Sequence, residues 1–191
     1  MGIFDFFQKK TVGASDADAV DYSKLIEIAR ILSNDNKGLV DDATLMANDY
    51  EKFQQTYEKW CLEMWEDSLD NHNARLLTAA YWFVGYETSH QFGAYIDWKE
   101  ETEDILWQLK SAIDSLGYSL NLDKIVFTGE EATDEALDKI NAYFLMEGYT
   151  LVTLDTDSDC YHLFIIPNEK LDRLICLGQS IGFTFFYDYK E

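Results

Sequence analysis

Three short stretches of the sequence combine residue types that could perform chemistry. Asp155-Thr-Asp-Ser-Asp159 places an oxygen ligand at every second position, as the opening of a calcium loop does. Glu87 and His90 have the Glu-x-x-His spacing, which on a helix presents a carboxylate and an imidazole on one face. Cys160 and His162 lie two residues apart, so a strand would place both on the same face.

The calcium-like stretch is incomplete as a metal site. An EF-hand loop requires Gly at its sixth position and Glu at its twelfth, where this chain has Cys160 and Ile166. We therefore predict no metal site here. We interpret Asp155, Asp157 and Asp159 as a solvated hairpin tip that could receive a lysine or arginine of a partner.

The Glu87–His90 pair lacks the second copy that a di-iron bundle needs. His90 could instead act as a general base near Glu87 or Asp97, so a pocket around these three residues is the alternative site of an enzyme or small-ligand-binding protein. Cys160 and His162 lack an orienting third group, and we interpret His162 as a partly buried histidine with satisfied hydrogen bonds. Enzyme activity is left open, with a non-catalytic role favoured; we predict no catalytic residue and no cofactor.

The charge balance restricts the class of partner. The 191 residues include 36 Asp and Glu against 15 Lys and Arg, for a formal net charge of −21. Such a charge repels nucleic acid and anionic membranes, so direct nucleic-acid binding is not expected. Because 47% of the residues are hydrophobic and 15% aromatic, the chain is not of the disordered acidic type. We therefore expect a folded protein with an acidic surface and a basic protein partner.

The sequence also indicates a cytoplasmic location. No apolar run reaches the length of about 18 residues needed to span a membrane. Three cysteines far apart in sequence (Cys61, Cys160 and Cys176) favour reduced, buried thiols over disulfides. Residues 1–10, in which apolar side chains precede Lys9 and Lys10, could dock on the core or make a weak contact with a membrane surface.

Apolar periodicity predicts a helical first half. A helix is predicted over residues 22–33, a long helical stretch is headed by Asp41 and Asp42, and a third helix ends near Gly85. In the second half, strands are predicted over residues 92–97, 124–128, 149–154, 161–166 and 183–187. The helices between them cover residues 98–116, a segment with Thr133 as its N-cap, and residues 169–177 with Asn168 as the cap.

These elements predict an α+β fold. From Lys124 onward their order is β-α-β-β-α-β, the ferredoxin-like pattern, so a helical N-terminal half would pack on a C-terminal α/β sandwich. The predicted organisation is an N-terminal aromatic segment and linker over residues 1–21, and a single α+β domain over 22–191 with a helical subdomain (22–90) and a sheet-and-helix subdomain (91–191).

Acidic residues cluster where helices are predicted to begin. There they stabilise the helix dipole, and they could also steer a basic partner. Exposed aromatic side chains, for which Trp98 and Tyr187 are candidates, would anchor such a partner. The predicted partner-binding residues are Trp98, Glu100, Glu101, Glu103, Asp104, Asp155, Asp157 and Asp159.

Two motifs carry a resemblance to a known family. With Ile96-Asp-Trp-Lys-Glu100 and Leu154-Asp-Thr-Asp-Ser-Asp-Cys-Tyr161, the chain from about Tyr81 to Tyr187 resembles small acidic bacterial proteins grouped only as a domain of unknown function. That family implies no binding or catalytic residue. In general character the chain is also similar to bacterial immunity proteins, which neutralise basic toxins. The leading hypothesis is therefore an immunity- or antitoxin-like inhibitor of a basic effector. A DNA mimic is a further alternative.

Overall fold

The computed structural model describes residues 20–64 and 72–189, with the backbone alone at residues 72 and 73. The predictions made for residues 1–10 and for most of the linker lie outside the described residues. The elements in chain order are α1 (Lys24–Leu32), α2 (Lys37–Asn48), α3 (Tyr50–Thr56), α4 (Glu58–Met64), α5 (His72–Val84), β1 (Gly93–Asp97), α6 (Thr102–Leu116), α7 (Thr133–Met146), β2 (Tyr149–Asp155), β3 (Cys160–Pro167), α8 (Asn168–Ile181) and β4 (Thr184–Phe186).

The first half is helical, as predicted, but the stretch headed by Asp41 and Asp42 is not one helix. Both aspartates lie inside α2, and the side chain of Asp49 starts a new helix by accepting the N–H of Lys52 at 3.1 Å. The Asp42 carboxylate accepts the Tyr57 hydroxyl and, at 3.1 Å, the Trp82 indole N–H. Asp42 therefore ties α2 to the turn between α3 and α4 and to α5, and does not serve as a helix start.

The second half is built on a four-stranded sheet in the order β1-β3-β2-β4, and every pair in it is antiparallel. β2 and β3 form the predicted hairpin, in which Val152 pairs with Phe164 and Leu151 with Ile165. The central strand β3 is buried on both faces, since the four residues from Leu163 to Ile166 are all 0% exposed. Its apolar run accordingly shows no alternation of apolar and polar residues.

Helices cover both faces of the sheet. Helices α1, α5 and α8 lie on one side, where α8 approaches β4 so closely that a Cβ at Gly178 would lie 2.7 Å from the Phe185 ring. Helix α7 lies on the other side and contacts β2, and α6 lies along β1, where the Gln108 side chain accepts the N–H of Tyr95 at 3.1 Å. The helical N-terminal half therefore packs on the sheet, as predicted.

The ferredoxin-like order is not confirmed. The strand predicted over 124–128 is wrong: Leu122–Lys124 forms a 3₁₀ turn, and residues 125–128 have no regular structure. The strand next to β3 is β1 instead, and it runs antiparallel, whereas a βαβ unit places its two strands parallel. A short β-branched and aromatic run favours a strand locally, but pairing requires a free sheet edge beside it.

Some helix ends also differ by a few residues from those predicted. Helix α6 begins at Thr102, so Trp98 lies in a turn, while Gly117 ends α6 at φ 69° as its position predicted. The N-caps of α7 and α8 are Ala132 and Pro167, one residue before those predicted.

Among the cysteines, which were predicted to be buried, only Cys61 is buried. Cys160 is half-buried and Cys176 is exposed.

His162 is enclosed between β3 and α5. It is 0% exposed, with the Tyr81 and Tyr95 rings 4.6 and 5.2 Å from its own. Neither ring nitrogen has a hydrogen-bond partner of good geometry among the described residues, so the prediction of a partly buried, satisfied histidine is wrong. Burial lowers the pKa of His162 to about 4, and the backbone of Ala80 offsets this only in part. The imidazole is therefore neutral in the folded protein at neutral pH.

The burial of His162 predicts that the folded protein becomes less stable in acid. Below pH 6.5 the unfolded chain protonates His162 while the folded chain does not, so the free energy of unfolding falls as the pH drops toward 4. We expect wild type to lose about 2 to 3 kcal/mol more than His162→Leu between pH 7 and pH 4.5, as measured by urea unfolding. At pH 7 the variant should be about as stable as wild type, because a neutral imidazole without a hydrogen bond of good geometry is replaced by an apolar side chain. Parallel pH profiles would contradict this account.

Candidate functional site

A groove of about 710 Å³ lies beside the ends of β1 and β4. Four aromatic residues line it, and we call them its aromatic floor: Trp98, Tyr161, Phe186 and Tyr189. Five acidic residues also line it: Glu100, Glu101, Glu131, Asp134 and Asp188. We call this surface the acidic groove.

Two further concave surfaces continue the acidic groove. One, of about 310 Å³, shares Trp98, Tyr161 and Phe186 and reaches Asp155 and Asp159 on the β2–β3 hairpin. The other, of about 700 Å³, shares the residues Glu131, Asp134 and Tyr189 and adds the acidic side chains Glu130, Glu135 and Asp138 near the start of α7. Carboxylates therefore border one continuous face from the hairpin tip to α7.

The turn after β1 places Trp98 at the centre of this face. The Trp98 N–H donates to the Asp159 carbonyl at 3.1 Å, which ties the turn to the hairpin. The Lys99 N–H donates to the Asp97 side chain at 2.9 Å and so closes the turn. Trp98 is 52% exposed, and the Lys99 ammonium lies 4.1 Å from the centre of its ring.

Glu131 builds the wall formed by the start of α7. Its carboxylate accepts the N–H groups of Thr128 and Gly129 at 2.7 and 2.9 Å and pairs with Lys139. The hydrogen bond from Lys139, followed by those from the backbone, lowers the pKa of Glu131, so this carboxylate stays charged. The Thr133 hydroxyl donates to the Glu100 carbonyl at 3.2 Å and joins the two acidic helix starts.

The opposite wall is the C-terminal segment that follows β4. The buried Asn141 of α7 donates to the Tyr187 carbonyl and accepts the Leu151 N–H, both at 2.9 Å. The Tyr189 hydroxyl donates to the Leu151 carbonyl at 3.2 Å and accepts from Thr153 at 3.1 Å. Burial raises the pKa of Tyr189, so its hydroxyl remains neutral.

The structure brings five of the eight predicted partner-binding residues to this face. Trp98, Glu100 and Glu101 line the acidic groove, and Asp155 and Asp159 line its continuation. Asp157, at φ 54°, lines a smaller recess of about 140 Å³ beside α5. The remaining two, Glu103 and Asp104, are exposed in the first turn of α6 and do not line the groove. Partner binding by these residues stays a prediction.

The alternative pocket is not assembled. Glu87 and His90 lie in the turn after α5, so they share no helical face, and Asp97 is at the far end of β1. The His90 imidazole donates from Nε2 to the Trp82 carbonyl at 2.8 Å, with its ring against Phe92. Burial lowers the pKa of His90. Among the residues that the structure describes, no three His, Cys, Asp or Glu side chains form an arrangement that could hold a metal ion.

Sequence reasoning missed most of the aromatic floor. Tyr161, Phe186 and Tyr189 come together because β2 pairs with β3 on one side and with β4 on the other. The aromatic run from 183 to 189 was a visible signal, but the register decides which of its members face the groove. Tyr187, a predicted anchor, is 43% exposed and does not line the acidic groove.

Asn141 should hold the C-terminal wall in place. Asn141→Ala leaves the Leu151 N–H and the Tyr187 carbonyl without their partner, so we expect the free energy of unfolding to fall by about 2 kcal/mol. Asn48→Ala, an exposed change at the end of α2, is the matched control and should change it by less than about 0.5 kcal/mol. Equal urea midpoints for the two variants would show that the Asn141 hydrogen bonds do not support the wall.

Comparison with known proteins places the chain in a family. A family model described as "Domain of unknown function (DUF6630)" matches residues 24–189, a range that contains every helix and strand given above. A search of the curated proteins and a search of the solved structures found no match. Among the described residues, no helix combines the length and the apolar character needed to cross a membrane. The resemblance seen in the sequence is thus confirmed at the level of a family of unknown function: the chain belongs to the DUF6630 family.

Proposed function

We propose that this chain is a protein-binding module of the cytoplasm that takes a basic protein partner into the acidic groove. In its most concrete form the proposal is an immunity- or antitoxin-like inhibitor of a bacterial effector with a cationic surface. The observation that carries the proposal is a groove in which carboxylates stand beside aromatic side chains, with Trp98 half-exposed and Tyr161 and Phe186 half-buried.

The two parts of the groove supply different contributions to binding. Carboxylates steer a cationic partner and raise its association rate, while buried aromatic contacts slow its dissociation. Trp98 has ring surface left to bury, and Tyr161 and Phe186 are half-buried beside it. Charge alone would give weak and unspecific attraction, so the combination supports a specific partner.

Among the described residues, the cations near the groove do not neutralise it. The Lys139 ammonium is paired with Glu131, and the Lys99 ammonium lies over the Trp98 ring. Along the same face Glu101, Asp155 and Asp159 are exposed. These three carboxylates therefore remain available to a partner, which favours a cationic one.

The rival proposals have less support. An enzyme centred on Glu87, His90 and Asp97 would need these side chains to converge, and β1 separates Asp97 from the other two. A DNA mimic would present carboxylates on an extended convex face, whereas the acids bordering the aromatic floor line a concave one.

Neutralising the exposed carboxylates of the groove should slow association. We would capture the partner from the native cell with the tagged chain and measure binding rates by stopped flow. For the triple variant Glu101→Gln/Asp155→Asn/Asp159→Asn we expect an association rate about tenfold lower at low salt, with a weaker salt dependence than wild type.

The matched control removes the same number of exposed carboxylates elsewhere, on α3, α4 and α8, in Glu51→Gln/Glu58→Gln/Asp172→Asn. This variant should keep nearly the wild-type rate. Two triple variants with equal effects would mean that net charge, and not the groove, governs binding. Association rates that do not respond to ionic strength would contradict the proposal as a whole.

A further inference from the structure

The free protein already holds a cation on the exposed aromatic ring of its groove. The Lys99 ammonium lies 4.1 Å from the centre of the Trp98 ring, within the range of a cation–π interaction. Carboxylates line the groove on either side, yet no carboxylate of the described residues lies within ion-pair distance of this ammonium. The ammonium of this exposed lysine therefore lies on the face of Trp98 and not against a carboxylate of the described residues.

We propose that Trp98 is the subsite for an arginine side chain of the partner, and that Lys99 occupies this subsite until the arginine displaces it. This inference rests on the proposed function and deepens it, because it names the group that is recognised. Lys99 then acts as a built-in competitor that screens out weakly cationic surfaces.

Hydrogen bonds fix the backbone of the turn that carries Trp98, and the Lys99 side chain is free to move. The hydrogen bonds from the Trp98 N–H to Asp159 and from the Lys99 N–H to Asp97 set the turn. The Lys99 side chain has four methylene groups and is exposed, so it can leave the ring without any change in the backbone. Moving Lys99 off the ring therefore costs little free energy beyond the loss of the cation–π contact itself.

Arginine suits the vacated position better than lysine does. A planar guanidinium stacks on an indole and can at the same time donate two parallel hydrogen bonds to a carboxylate. Glu100 and Glu101 follow Trp98 in the chain and line the same groove, so carboxylates are available at its edge. An ammonium can occupy the ring but cannot make the paired hydrogen bonds.

The test uses hexa-arginine and hexa-lysine peptides as probes of the full chain at physiological ionic strength. Lys99→Met retains a long apolar side chain but removes the ammonium from the ring, so its affinity for hexa-arginine should rise. The control is Lys110→Met, which makes the same change of net charge at an exposed position of α6. We expect Lys99→Met to bind about two- to fivefold more tightly than Lys110→Met. Wild type should bind hexa-arginine more tightly than hexa-lysine.

A double-mutant cycle assigns the gain to the ring. In a Trp98→Leu background Lys99→Met should bind no better than Lys110→Met, because the subsite is gone. Trp107→Leu, at a 63% exposed tryptophan of α6, is the control for loss of an indole and should retain the gain. If Trp98→Leu lowers the melting temperature, Trp98→Tyr supplies a second variant and should retain a reduced gain.

The free protein offers a readout without any probe. Lys99→Met should shift the indole N–H resonance of Trp98, while Lys110→Met should leave it in place. Equal hexa-arginine affinities for the two lysine variants, or a gain that persists in Trp98→Leu, would overturn the inference. If the groove triple variant still slows binding of the captured partner in that case, the proposed function stands and only the role of Trp98 and Lys99 fails.

Discussion

The burial of β3 on both of its faces is the constraint on which the rest of the structure depends. From Leu163 to Ile166 every side chain is excluded from water, so the strand needs a hydrogen-bonded neighbour on each edge and a layer of helices on each face. β1 and β2 supply the edges; α1, α5 and α8 contact β3 on one face, and α7 packs on the neighbouring β2 on the other side of the sheet. The enclosed core also explains how His162 is held neutral between the sheet and α5.

The same hairpin that fills the core places the acidic surface. β2 and β3 end at a polar tip whose Asp159 carbonyl receives the Trp98 N–H, so the turn after β1 is positioned by the hairpin. The start of α7 is joined to that turn through Thr133, and Asn141 fastens the C-terminal segment across the groove. The helix-start carboxylates stabilise their helix dipoles and also border an aromatic floor. One set of charges can thus serve the fold and the proposed recognition of a partner.

The elements that could be predicted are those decided by local patterns. The β2–β3 hairpin follows from two apolar runs around an Asp-rich turn, and α6 ends at Gly117 because glycine tolerates a positive φ. The strand predicted over 124–128 failed because β-propensity is local, whereas pairing depends on which sheet edges are free. Glu87 and His90 illustrate a similar limit, since the Glu-x-x-His spacing places both side chains on one face only in a helix, and the chain turns there.

The sequence by itself determined the helical first half, the central hairpin, the large surplus of acid and the membership of Asp155, Asp159 and Glu101 in an exposed acidic set. These properties follow from composition and from patterns a few residues long. The tertiary structure alone decided that Trp98, Tyr161, Phe186 and Tyr189 form one floor, because they come from three different strands or their ends. Strand order and register bring such residues together, and both are settled by long-range packing that no local pattern encodes.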